Sequence, residues 1–557
     1  MLSLAARDDV QTLLDATTLH LQDSEKIALI YVQTDQPVIK VTRSEFRLRA
    51  VLYANAMIRM GIRKRDMVII AHTQNLESVY LFWGAIFMGA IPSMFPTLTE
   101  KLDPIIYMGN LTEVVRLSEV RAIFTTDEFA PTLREKVTCS VVGNSDLQAD
   151  VNITIELHRP QAEDIAFLQH SSGTTGLQKG VALSHQAVLN QIASYSDAIK
   201  LTKQDVVVSW LPLYHDMGLI AGFILPILQG IPLVLMSPFD WVAHPALLLR
   251  AIHDHFATLT WMPNFAYNHM ARRIRQRDSE GLSLASIRAF INCSEPVRAD
   301  SHTLFLERFA ANGATAEQLQ VSYAMAENTF AVTQTPIRSA ARLDIVDRIV
   351  LQERLLALNV PDDHPNAAAQ ISCGVPIANT GVKIVGDTRN ILEERQVGEV
   401  YVHSNCMLTE YYHRPDLSPF DADGWYKTGD RGYIAKGQLY IIGRSKDLII
   451  NAGKNIYPQD LEAIVNGIEG VHAGRAVAFG VPDEKEGTEL IAIVAEVDTD
   501  DADTRKKISQ QIRQMIAQQT DVTVNFVGLV ESGWLIKTSS GKISRSKNRK
   551  KWLASRE

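Results

Sequence analysis

HSSGTTGLQKG, residues 170–180, lies between two short apolar runs, IAFLQ (165–169) and VALS (181–184). Both runs have the length of buried strands, so the segment predicts strand, loop, strand. A Walker loop would lead into a helix and requires Gly-x4-Gly-Lys-Ser/Thr. Here Lys179 stands between Gln178 and Gly180, which excludes it. The residue types still suit a phosphate. Gly173 and Gly176 allow close backbone approach, Ser171, Ser172, Thr174 and Thr175 offer hydroxyl and N–H donors, and Lys179 adds a cation. Alone, such a stretch reads as a turn. Its surroundings decide the matter.

Those surroundings are mixed α/β. MVIIA (67–71), AIFTT (122–126) and DVVVSWL (205–211) read as buried strands alternating with helical stretches, the pattern of layered sheets with helices between them. The 557 residues correspond to about three or four domain-sized units. Hydrophobic residues make up 46% and charged residues 21%, which excludes a disordered, collagen-like or coiled-coil chain. The net charge of −8 argues against a broad nucleic-acid face. Cys139, Cys293, Cys373 and Cys406 are too few and too dispersed for a disulfide framework or a CxxC zinc site, and read as reduced core residues of a cytoplasmic protein. Arg7, Asp8 and Asp9 interrupt the N-terminus before any apolar region develops, so it does not read as a secretory signal.

Two uncharged segments, 78–99 and 217–239, approach the length of a membrane span, about 20 residues. Gly89 and Pro92 break the first, and Gln229, Gly230 and Pro232 the second. Each therefore predicts a buried helix, a glycine turn and a short strand. Residues 336–372 contain no glycine and read as an excursion that returns at CGVP (373–376). Beyond Gly443 the pattern restarts. Leu461, Ile464, Val465 and Ile468 form one helical stripe, AVAFGV (476–481) and LIAIVAEV (490–497) read as strands, and Ile508, Ile512, Met515 and Ile516 mark a second helix. That suffices for an α+β domain of about a hundred residues. Its tail is basic, with Lys537, Lys542, Arg545, Lys547, Arg549, Lys550 and Lys551.

The loop at 170–180 resembles the phosphate loop of the adenylate-forming superfamily, and the family's other motifs follow in order. WLPLYHDMG (210–218) is similar to its acyl-pocket motif and SYAMAEN (322–328) to its adenine and magnesium segment. YKTGD (426–430) resembles its ribose motif, GRSKDLIINAGKNIYP (443–458) its hinge, and TSSGKISR (538–545) its C-terminal lysine loop. The resemblance implies a large multi-subdomain adenylation body (1–442), a hinge (443–446, turning at Lys446) and a small mobile lid (447–557). It implies ATP and Mg²⁺ as cofactors. Thr174 and Glu327 would hold the metal, Tyr323 would stack on adenine, Asp430 would take the ribose, and Arg444 the ribose or a phosphate. Ser294, Glu295, Pro296, Ser322, Ala324 and Met325 would complete the nucleotide site. Trp210, His215, Phe265, Ala324 and Met325 would line the acyl pocket. Lys542 would reach the α-phosphate and the substrate carboxylate. His215 joins Lys542 and Glu327 in the catalytic set as a pocket residue rather than a base, because a carboxylic acid is already ionised at pH 7.

WLPLYHDMGLI, MPNFAY (262–267), SEPV (294–297) and NIYPQDLE (455–462) narrow the resemblance to the fatty acyl-AMP ligases. These pass acyl-adenylates to acyl carrier proteins of polyketide or peptide synthases, and the excursion at 336–372 falls where they carry an insertion linked to poor CoA use. An acyl-CoA synthetase would use the same residues with another acceptor. A non-catalytic nucleotide binder would not need Lys542, Glu327 and Asp430 together. There are departures. The subgroup usually has Tyr-Thr-Ser-Gly-Ser-Thr-Gly at the loop, Gly-Ala where Cys293 and Ser294 stand, Gly at Ala324 and Ala at Asn328. They leave adenylation intact and open the identity of the acid, including its length. A channel near Gly453 would admit a pantetheine thiol once the lid turns. With Glu557 fifteen residues past Lys542, no carrier domain is expected to follow, so the thiol would arrive on another molecule.

Overall fold

The computed structural model describes residues 9–20, 23–98, 104–147, 158–170, 179–451, 454–483, 488–520, 522–538 and 541–556. Its centre is a nine-stranded sheet. The strands Leu319–Ala324, Ala289–Asn292, Leu259–Met262, Val207–Ser209, Leu233–Met236 and Ile27–Val32 lie side by side in that order, all parallel. Parallel strands are covered on both faces, which is why these read as unbroken apolar runs. A seven-stranded sheet stands beside it and includes Met67–Ala71, Ile91–Phe95, Ala122–Thr125 and Ile165–His170. The strands on either side of the 171–179 segment, Ile165–His170 and Gly180–Ser184, pair antiparallel with His170 opposite Gly180, as the sequence predicts.

The two apolar segments fold inside the protein. The first is a helix, Leu76–Met88, stopped by Gly89 at φ 84°, then the strand Ile91–Phe95. The second ends through Gly230, at φ 62°, into Leu233–Met236. Its first turns, Met217–Ile224, form a π-helix, which the sequence pattern does not foretell. Among the described residues no helix is long and apolar enough to cross a membrane.

A four-stranded antiparallel sheet, from Thr380–Val385 to Gln438–Arg444, follows. The excursion is a ribbon, Leu343–Asp347 paired with Ala367–Ile371, with the helix Arg348–Arg354 between its strands. Asp344 anchors it to the four-stranded sheet by a two-bond pair with Arg395 and by the Tyr433 hydroxyl. The C-terminal part packs the helices Pro458–Asn466 and Ala502–Gln519 on a three-stranded sheet around Leu461, Val465, Ile508, Ile512 and Ile516. The excursion touches this part. Lys454 pairs with Glu353 at 3.0 Å, and Asn455 donates to the carbonyl of Gln352 at 3.1 Å.

Candidate active site

Ligands of open parallel sheets bind outside the carboxyl ends of the strands, and the residues of interest gather there. Side chains alternate along the strand Leu319–Ala324, so Tyr323 and Ser322 face opposite ways. Tyr323 donates to Asp430 Oδ2 at 2.5 Å, and Arg444 Nε donates to Oδ1 at 3.1 Å from the directly opposed position on the next strand. Asp430 is only 8% exposed, so the carboxylate is held on both oxygens. Burial, with the Asp430 charge beside it, pushes the Tyr323 phenol well above its usual range. Ser322 points away, donating to the carbonyl of Thr333 at 2.7 Å, so its side chain does not join this cluster. Ala324 and Met325 are half-buried at the end of the strand.

Glu327 sits in a short turn, Ala326–Asn328, closed by Thr329 at φ 59°, ψ −51°. Phe330 N donates to Asn328 O across Thr329, a γ-turn of the rare strained hand. A β-branched residue is an outlier there, and the bond from Thr329 Oγ1 to Cys406 O at 2.7 Å secures it. Tyr411 donates to Glu327 Oε1 at 3.1 Å, and Lys179 Nζ lies 4.6 Å from the centre of the Tyr411 ring. Lys179 and the Glu327 carboxylate thus share one aromatic neighbour. Tyr411 was not among the expected residues, because nothing in its local sequence marks it. Mg²⁺ fits this arrangement. It is held by one or two carboxylates plus phosphate oxygens and water, and Glu327 keeps its second oxygen. No cluster of three or more His, Cys, Asp or Glu that could hold a metal unaided occurs among the described residues. Ser171, Ser172, Gly173, Thr174, Thr175 and Gly176 lie outside the described residues.

Lys542 reaches in from the C-terminal part. Its Nζ donates to the carbonyl of Ser294 at 2.5 Å, joining residues 248 positions apart. Ser294 takes the left-handed conformation, φ 69°, just past the strand Ala289–Asn292. Glu295 Oε2 accepts from the backbone N–H of Phe265 at 3.0 Å, and burial holds its carboxyl above the usual range. Pro296 is exposed. His215 precedes the π-helix, and its Nε2 is buried without a partner. Burial, helped by the Lys542 charge, lowers its pKa to about 3, so the ring is neutral at ordinary pH and offers an unspent polar atom to a ligand. Asp216 caps the π-helix, accepting from Met217 N at 2.8 Å. Beyond Phe265, Trp210 stacks on Trp241 with centroids 3.5 Å apart and planes 9° apart. Trp241 was not anticipated. Lys446 stands in the turn Ser445–Asp447 beside this cluster, and desolvation with the nearby Arg444 charge lowers its pKa.

A family profile described as AMP-binding enzyme matches residues 20–412. The long-chain-fatty-acid–AMP ligase FadD32 of Mycolicibacterium smegmatis is 32% identical, the alignment covering 89% of this chain and 86% of that one. The medium-chain-fatty-acid–[acyl-carrier-protein] ligase JamA of Moorena producens is 28% identical over 98% of this chain and 96% of its own. A structure from a study of fatty acyl-adenylate ligases of E. coli and L. pneumophila superposes with a TM-score of 0.89 at 26% identity, covering 98% of each chain. With that match across most of its length, the chain belongs to the AMP-binding enzyme family and is an adenylate-forming ligase.

Proposed function

We propose that the protein activates a carboxylic acid of the fatty type with ATP, releasing pyrophosphate, and passes the acyl group to the phosphopantetheine thiol of a separate acyl carrier protein in the cytoplasm. The observation that carries this is Lys542 seated against Ser294 between the Tyr323–Asp430–Arg444 cluster and the aromatic pocket. The substrate carboxylate oxygen attacks the α-phosphorus, and the bond to pyrophosphate breaks. Lys542 and Lys179 stabilise the charge that develops, a preorganised contribution worth several kcal/mol in a water-poor site. Mg²⁺, held by Glu327 and Thr174 when bound, neutralises phosphate charge. Tyr323 provides the face for adenine, and Asp430 with Arg444 the ribose contacts. His215, neutral, borders the carboxylate and moves no proton.

The second step needs Lys542 out of the way. Residues 1–442 act as the body, 443–446 as the hinge and 447–557 as the lid, in ordinary gating. The thiolate then attacks the acyl carbonyl, and the C–O bond to AMP breaks. The pairing of Glu353 with Lys454 and the bond from Asn455 to Gln352 support a strap role for the excursion, restraining the lid. Restraint favours an acceptor delivered by a docked protein over free CoA. The test is mass spectrometry of products from MgATP and an acid panel, with CoA or with a holo-carrier protein. Acyl-AMP that converts to acyl-carrier in preference to acyl-CoA is the expected result. Preferential acyl-CoA formation would reject the carrier assignment.

A further inference from the structure

The carboxyl ends of neighbouring strands lay out the substrate path. In sheet order, Leu319–Ala324 presents Tyr323, Ala289–Asn292 leads to Ser294 and Glu295, and Leu259–Met262 leads to Phe265. Next come Val207–Ser209, followed at once by Trp210, and Leu233–Met236, which leads to Trp241. The nucleotide end is fixed by Tyr323, and the reacting end by Lys542 on Ser294. An acyl tail leaving that point away from the nucleotide passes Phe265, which is 42% exposed and tied through its N–H to Glu295. It then meets the tryptophan pair. Trp210 is 3% exposed and Trp241 0%, and Phe265 stands edge-on to both, with centroids at 6.1 and 6.2 Å. A stacked pair closed on its far side leaves no slack for a chain to slip past, because cores are packed like organic crystals.

We infer that Trp210, held in place by Trp241 stacked behind it, is the end wall of the acyl site and restricts the acid to a short or medium chain of about eight carbons or fewer. The length follows from spacing. Strands lie about 4.8 Å apart, so the path from the Ser294 strand to the Trp210 strand, two positions away, is about 10 Å. An extended alkyl chain with C–C bonds of about 1.5 Å advances about 1.25 Å per carbon, so about eight carbons fill the path. Trp241 is the residue to vary, because it backs Trp210 from the farther strand, and without it the Trp210 ring has room to withdraw from the path. This inference rests on the adenylation reading above and adds the substrate class to it.

The test is pyrophosphate release with saturated acids of six to sixteen carbons, for the unmodified protein, Trp241→Ala and Trp241→Phe. For the unmodified protein kcat/KM should fall about tenfold or more between eight and twelve carbons, the scale on which a closed pocket rejects extra methylenes. Trp241→Ala should bring the twelve-carbon acid to within about threefold of the eight-carbon acid. Trp241→Phe keeps an aromatic ring behind Trp210 and should keep the cut-off. An unmodified protein that uses sixteen carbons as well as eight overturns the inference, whether or not Trp241→Ala folds. A folded Trp241→Ala with the original cut-off overturns it too. Failure with every acid would instead sink the adenylation reading itself, so the two outcomes are distinct.

Discussion

Asp430 has both carboxylate oxygens engaged, by Tyr323 and Arg444, and it is nearly buried. Hydrogen bonds to a charged group are worth about 1.5–3 kcal/mol each. Asp430→Asn removes the charge while keeping the shape, so the apparent KM for ATP should rise by about tenfold or more, with a smaller effect on the KM for the acid. Steady-state pyrophosphate release reads both. His302 offers a test of the buried neutral histidines. Its Nε2 lies 3.0 Å from the Asn292 amide, which donates to it, and burial lowers its pKa to about 4. The folded value lies below the unfolded value of about 6.5, so the unfolded chain binds the proton first. The stability it contributes is full above about pH 6.5 and is lost as pH falls towards 4. His302→Gln should therefore lose less Tm than the unmodified protein over that window, read by thermal melts at pH 7 and 5. At this scale the sequence singled out Lys542, Tyr323 and Asp430 through the motifs they sit in, and the structure brings Tyr323 onto Asp430 and Lys542 onto Ser294. Tyr411 and Trp241 were hidden because their contacts are made across long sequence separations. Ser322 was assigned to the site by neighbourhood, yet strand alternation turns it away.

Arg545, three residues past Lys542, ties together elements that the sequence lists separately. It donates to Asp447 at 2.7 Å and to both oxygens of Glu462, at 2.8 and 2.6 Å. The turn Ser445–Asp447, the helix Pro458–Asn466 and the segment after Lys542 thus share one guanidinium. The cluster is partly buried, so removing Arg545 should cost less than the roughly 3–5 kcal/mol of breaking a fully buried ion pair. Arg545→Ala should lower the Tm clearly and slow adenylation because the Lys542 loop loses its anchor. A variant that keeps both Tm and rate would reject this coupling. The ribbon at Leu343–Ile371 makes the complementary contact. Glu353→Arg places a like charge against Lys454 and should raise acylation of CoA relative to the unmodified protein, while acyl-AMP formation stays within about threefold, since exposed pairs are worth about 1 kcal/mol or less. Unchanged CoA turnover would count against the strap. Helical periodicity made the elements near 458–468 and 502–519 legible, because one face of each is buried at regular spacing. The π-helix Met217–Ile224 was not legible, since an all-apolar run has no phase to read.

Across the whole molecule, the order of motifs implied the proposed division into an adenylating body and a lid, but not where the C-terminal part meets the rest. Strand order is set by long-range pairing, so the line from Tyr323 through Ser294 and Phe265 to the tryptophans became visible only once the sheet was assembled. The same holds for the reach of Lys542 across 248 positions to Ser294. In the proposed mechanism this lysine completes the adenylating site. ATP–pyrophosphate exchange with the preferred acid, compared between the unmodified protein and Lys542→Ala at matched Tm, tests it most directly. The structure predicts a loss of about 10² or more, the scale of removing one preorganised charge contact. Exchange by the variant within about threefold of the unmodified protein would contradict it.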